Sequence, residues 1–163
     1  MATSERLLKW MVRFYPPLFF QRIWVLKFHI GFIGVDVKIY KSFLNKNYNN
    51  SIFGGTIFSA ADPFHPLLIH QQLKRKGYKI ISWSKSSHIQ YLKPGITDLY
   101  FKLSISNSEI EDCELALNAE GRYMKAYPIH IFDDKGELCA SMINEVYVRN
   151  LKYIEPEIKS DYN

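Results

Sequence analysis

The segment from Phe53 to Lys76 most limits what this 163-residue chain can become, because its apolar residues recur at helical spacing while its surroundings do not. Gly77 follows as a natural C-terminal stop. On both sides the period drops to two. Val35, Val37 and Ile39 alternate with Asp36, Lys38 and Tyr40, and Tyr78 to Leu92, Asp98 to Ser106, roughly Ala119 to Phe132, and Leu138 to Arg149 carry alternating or β-branched stretches. The run Asp133-Asp134-Lys135-Gly136-Glu137 reads as a hairpin turn in which Gly136 supplies a positive φ, so the last two strands should be antiparallel neighbours. A sheet with one apolar face needs a covering layer. An antiparallel sheet of about five strands wrapped around one long helix meets that need, which makes the expected class α+β.

Ahead of this core, residues 4 to 14 fit a short helix: Ser4 can cap it, Leu7, Met11 and Phe14 share one face, and Arg6, Lys9 and Arg13 share another. Pro16-Pro17 ends it. A second helix is expected from Pro17, with Phe19, Ile23 and Leu26 on one side and Phe20, Trp24 and Lys27 beside them. Residues 1–30 thus read as an N-terminal helical hairpin, 31–149 as the core and 150–163 as a polar tail that frays, all within one domain. Residues 106–117 read as a short helix or loop.

Cations at Arg6, Lys9, Arg13, Arg22 and Lys27 interrupt every N-terminal apolar run well short of a membrane span or secretory signal. The hairpin could cover the sheet or lie on an anionic membrane. Covering is the expectation, because aromatic faces usually pack. The formal charge of +5 favours anionic partners without choosing among them, and no nucleic-acid motif accompanies it. Cys113 and Cys139 lack metal-ligand spacing and are expected to be reduced and buried in a cytoplasmic protein. His65, His70, His88 and His130 form no recognisable ligand pair, so no metal is expected.

The chemistry concentrates in Phe53 to Pro66. Gly54 and Gly55 at a helix start leave free N–H groups at the positive end of the helix and let a ligand approach the backbone. Asp62, flanked by Phe58 and Phe64, is either a carboxylate held over a ligand or, with Pro63 behind it, the cap of a helix that begins there. If the helix runs through, Pro63 and Pro66 must kink it or remove hydrogen bonds.

The stretch Phe-Gly-Gly-Thr-Ile-Phe-Ser-Ala-Ala-Asp resembles the hotdog-fold acyl-CoA thioesterases, especially the phenylacetyl-CoA thioesterase-like branch, whose pattern is His-Gly-Gly, a few mixed residues, a small apolar pair and Asp. Phe53 stands where that histidine would be. The longer run Asn49 to Phe64, with Trp83 to Gly95 and Glu145 to Arg149, is more similar to a bacterial hotdog branch catalogued as a domain of unknown function. The resemblance implies a homodimer or higher homo-oligomer that binds an acyl thioester between subunits, with coenzyme A as part of the substrate and no other cofactor. It implies Asp62 as general base or nucleophile, Gly54 or Gly55 N–H as oxyanion donor, and Asn47, Asn49 or Asn50 as a polar residue that orients water or substrate. Phe53 and Phe58 would wall an acyl pocket. Trp83, Lys85 and Ser87, expected on one face of a strand, would adjoin the cofactor portion, and Lys85, Lys93 and Arg149 could meet its phosphates. A noncatalytic acyl-CoA or acyl-carrier binding protein is the alternative.

Overall fold

The structure, a computed structural model, describes residues 3–154; the expectation of a fraying tail falls mainly on 155–163, outside the described residues. Helices α1 (Glu5–Arg13) and α2 (Pro16–Phe19) lead into β1 (Ile23–Phe28), a 3-10 turn at Ile30–Phe32 and β2 (Gly34–Ile39). Then come α3 (Gly54–Ala61), α4 (Phe64–Arg75), β3 (Ile80–Tyr91), β4 (Leu99–Ser104), α5 (Asn107–Ala119), β5 (Arg122–Asp133) and β6 (Leu138–Asn150). All strand pairs are antiparallel, in the order β1-β2-β4-β5-β6-β3. The sheet covers α3 and α4, which is the hotdog arrangement. Its core joins Ile57, Ala60, Phe64 and Leu68 of the helices to Val37, Phe101, Ile131, Met142 and Val146 of the sheet. Each of these apolar side chains larger than alanine contributes about 1.5–3 kcal/mol on burial.

The sequence signals at the helix stop and hairpin hold in detail. After α4, Gly77 takes φ +90°, its N–H donates to Lys74 O, and Tyr78 N–H donates to Leu73 O, which is a Schellman close. At the hairpin, Gly136 takes φ +79° and Asp133 Oδ1 accepts from the Lys135 and Glu137 N–H groups. Residues 107–119 resolve to a full helix, because Ser106 and Glu109 form a reciprocal capping box.

The second helix of the expected hairpin is a single turn, and Ile23–Phe28 is a sixth strand. Arg22 at φ +61° turns the chain out of α2, and β1 then pairs with β2. A register shift between Val25 and Lys27 places the buried residues at Ile23, Val25 and Phe28. Spacing of two and then three along the chain imitates a helical face.

The long helix is also divided. Asp62 keeps helical φ and ψ (−58°, −50°) and its N–H donates to Phe58 O, but Pro63 lacks a donor and α4 starts afresh at Phe64.

Candidate active site at the helix junction

Asp62 is the C-terminal cap of α3 by backbone geometry, and no side-chain hydrogen bond caps α4. The reading of Asp62 as a side-chain cap is therefore corrected: the residue before Pro63 stays helical, and its carboxylate accepts no hydrogen bond from the α4 N–H groups. Pro66 has no N–H to give to Asp62 O, its helical acceptor four residues back. Two side chains from the sheet take that place. Ser84 Oγ and Asn144 Nδ2 each donate to Asp62 O at 3.0 Å. Asn144 is fully buried, also donates to Ser84 Oγ, and accepts from Ser87 Oγ at 3.0 Å. Ser82 Oγ adds a 3.1 Å bond to Pro66 O. The junction is thus fixed by a buried polar cluster, a setting in which each unmet group would cost about 1–3 kcal/mol. The position of Asn144 was absent from the sequence reading, and an asparagine inside an apolar strand is the signal that would have found it.

Among the described residues, half-buried Asp62 is the only carboxylate lining a groove of about 540 Å³ between α1–α2 and the central helices. Its walls are apolar: Leu8, Met11 and Val12 on one side, and Phe58, Phe64 and Leu67 on the other. Phe58 is one of the residues that line it. That volume falls within the usual range for small-molecule sites.

The glycine end is built differently. Neither the Gly54 nor the Gly55 N–H has an acceptor among the described residues, since the first helical bonds to Phe53 O come from Thr56 and Ile57. Both glycines are overlaid by rings. Tyr91 donates its hydroxyl proton to Gly54 O at 2.9 Å and lies 3.1 Å from where a Gly54 Cβ would stand, and the Phe53 ring occupies the space of a Gly55 Cβ. Phe53 is itself 58% exposed. A cleft of about 250 Å³ brings Gly54, Tyr91, Lys93 and Asn47 together, while Phe53 and Gly55 border a second hollow with Ser59 and Asn45.

The asparagines divide in role. Asn47 Oδ1 accepts from the Asn49 N–H, the Ser51 N–H and Ser51 Oγ, so it organises its own loop. Exposed Asn50 adopts φ +58° in the turn closed by its N–H to Asn47 O. Asn45, which the sequence did not single out, is the buried one. It ties the loop to Gln21 O and Tyr40 O at 2.8 and 2.9 Å.

On β3 the expected shared face of Trp83, Lys85 and Ser87 is corrected. A bulge between Ser84 and Ser86 adds a residue, so Ser87 turns inward to Asn144 while Trp83 and Lys85 stay on the outer face. There Trp83 packs on Tyr147 at 4.6 Å and Lys85 Nζ approaches Met124 Sδ at 3.2 Å. Lys93 pairs with Glu137 at 2.8 Å beside Cys139, and Arg149 lies ten residues further along β6, about 33 Å away. Within one protomer Lys85, Lys93 and Arg149 therefore cannot grip one diphosphate.

His65, three residues past Asp62, is 2% exposed, stacks on Tyr127 at 4.6 Å and has no partner for Nδ1 among the described residues. Desolvation lowers its pKa to about 4, so it is a neutral core residue at physiological pH.

In comparisons with known proteins, no curated protein matched the sequence. Among solved structures, PA5026 of Pseudomonas aeruginosa, a protein of unknown function described as a "probable thioesterase", aligns with TM-score 0.77 at 15% identity, covering 92% of this chain and 98% of that one. HI1161 of Haemophilus influenzae, described as a thioesterase, gives 0.68 at 11% identity over 96% and 97% of the two chains. The E. coli PaaI protein from the phenylacetic acid degradation operon gives 0.60 at 16% identity over 86% and 88%. These likenesses agree with the hotdog fold read from the strand order. The family model for a domain of unknown function, DUF4442, matches residues 4–148, and the chain belongs to that family.

Proposed function

We propose that this protein is an acyl-CoA thioesterase-like hydrolase acting on a thioester bound where two copies meet. The observation that carries the reading is Asp62, the one carboxylate among the described residues on an apolar groove, carried by the same helix whose first N–H groups lack acceptors among those residues. The groove suits an acyl chain, and the carboxylate suits activation of water. In hydrolysis Asp62 would take a proton from water as it attacks the thioester carbon, or attack that carbon itself. The Gly54 or Gly55 N–H would hold the oxyanion, a contribution of about a hundred- to a thousandfold. Collapse then breaks the carbon–sulfur bond. On the general-base route Asp62 returns the proton it took from water to the leaving sulfur, giving carboxylic acid and thiol. On the nucleophilic route water hydrolyses the acyl-aspartyl anhydride and supplies the proton of the thiol.

Helix geometry argues for two copies. Asp62 lies eight residues beyond Gly54, about 12 Å along the helix, too far for both to touch one carbonyl in one protomer. The outer edge of β3, twelve residues long, pairs with no other strand among the described residues, which supports association through that edge. The test is release of free thiol from a panel of acyl-CoAs. Asp62→Asn should abolish release while the variant keeps its fold and its affinity for a nonhydrolysable thioether analogue; undiminished turnover would remove Asp62 from the reaction.

Phe53 favours a second reading. It offers no hydrogen bond where the related thioesterases carry histidine, and its ring lies over Gly55. On that reading the protein holds an acyl-CoA or acyl-carrier ligand without cleaving it. Asp62-dependent release of coenzyme A would overturn it.

A further inference from the structure

The face of α1 that the sequence marks as apolar points away from the protein. Leu8 is the only buried residue of the helix, with Val12 packed beside it and Met11 at the rim of the groove, whereas Leu7 and Phe14 are each more than half exposed. Trp10 stacks on Phe14 at 5.9 Å, and the line continues through Phe19 to exposed Phe20. A helix in a globular protein normally buries its wider apolar stripe. Here that stripe is turned outward beside Arg6 and Lys9.

The same N-terminal segment is cationic, although Arg13 turns inward to Val25 O and, like Arg22, packs over Trp24. Residues 1–28 contain five cations against the single acid Glu5, and so hold four of the five excess positive charges of the chain. Glu5 is already engaged: it accepts from the Arg75 guanidinium at 2.8 Å and from the Gly31 N–H at 2.9 Å, and the Arg75 bond holds its carboxyl down to about 2. That pair locks α1 to the body with its apolar arc outward. No helix among the described residues is long and apolar enough to cross a membrane, which leaves contact at the surface.

We infer that α1 and α2 form a surface that docks onto an anionic lipid bilayer, with Trp10, Phe14 and Phe20 entering the headgroup boundary and Arg6, Lys9 and Lys27 meeting lipid phosphates. Large exposed rings flanked by cations match the interfacial helix. A second copy is the poorer occupant, because two such faces brought together would oppose like charges. The contact is independent of the reaction proposed above.

The test is cosedimentation of the full chain with vesicles of phosphatidylcholine alone and of phosphatidylcholine and phosphatidylglycerol in equal parts. Binding should require the anionic lipid, and brominated lipid should quench emission that Trp10→Phe removes. Because these positions are exposed, Leu7→Ser with Phe14→Ser should retain the fold by circular dichroism and lower binding about tenfold or more. Arg6→Gln with Lys9→Gln should lower it by a similar factor. Absence of binding to the mixed vesicles would overturn the inference. So would a serine double variant that binds vesicles normally and instead loses self-association in sedimentation velocity, which would assign the face to a second copy. Lipid binding without quenching of Trp10 would leave simple charge attraction and also refute docking.

Discussion

The two ends of α3 are held by opposite means. At its C-terminal end the Asp62 carbonyl, deprived of a helical donor by Pro66, is taken up by Ser84 and by Asn144, which is fully buried. At its N-terminal end Gly54 and Gly55 are covered by Tyr91 and Phe53, both more than half exposed. Buried polar bonds fix a geometry because leaving them unmet is costly, whereas surface rings can swing with little penalty. The acid is therefore anchored through its backbone, and the donors sit behind movable covers.

Asn144→Leu should break the anchored end with the largest effect. It leaves the Asp62 carbonyl one donor short and Ser87 Oγ without its acceptor, for a loss of about 4 kcal/mol by urea denaturation. Little change would mean that the junction holds itself. The next effect comes from His65. Its folded pKa of about 4 lies below the unfolded value, so the unfolded chain binds more protons between the two. Its contribution is complete above the unfolded value and declines as pH falls, by about 2–3 kcal/mol between roughly pH 7.5 and 4.5. His65→Phe should flatten that part of the stability curve, and an unaltered slope would refute the assignment.

At the covered end the changes should be smaller. Tyr91→Phe removes one exposed hydrogen bond to Gly54 O, for about 1 kcal/mol in thermal unfolding, and should leave the 250 Å³ cleft more open to ligand. Gly55→Ala places a methyl against the Phe53 ring, which can turn into solvent, while alanine gains up to about 1 kcal/mol in helix propensity. The net stability change should stay within about 1 kcal/mol, and displaced Phe53 ring resonances should appear by NMR. A loss as large as that of Asn144→Leu would show that the two ends do not differ as described.

Much of the fold was legible because period and punctuation agreed. Gly77 and Gly136 marked a helix stop and a hairpin, whereas residues 106–117 read as a short helix or loop until the capping box of Ser106 and Glu109 fixed α5. Two of the errors came from single added residues. A bulge near Leu26 gave β1 the spacing of a helix, and a bulge near Lys85 turned Ser87 inward. The candidate site was legible as a helix with glycines at one end and an acid at the other. Its supports were not, because Asn144 lies eighty-two residues from Asp62 in the chain.

The sequence by itself determined the covering helix, most of the antiparallel strands, and the placement of Gly54, Gly55 and Asp62 along one segment, since periodicity and helix-end chemistry are local. Only the tertiary structure decided which side chains take up the carbonyl that Pro66 releases, which groove Asp62 borders and which way the apolar face of α1 turns. Those outcomes depend on what packs across from each residue, and strand pairing brings those partners from distant parts of the chain.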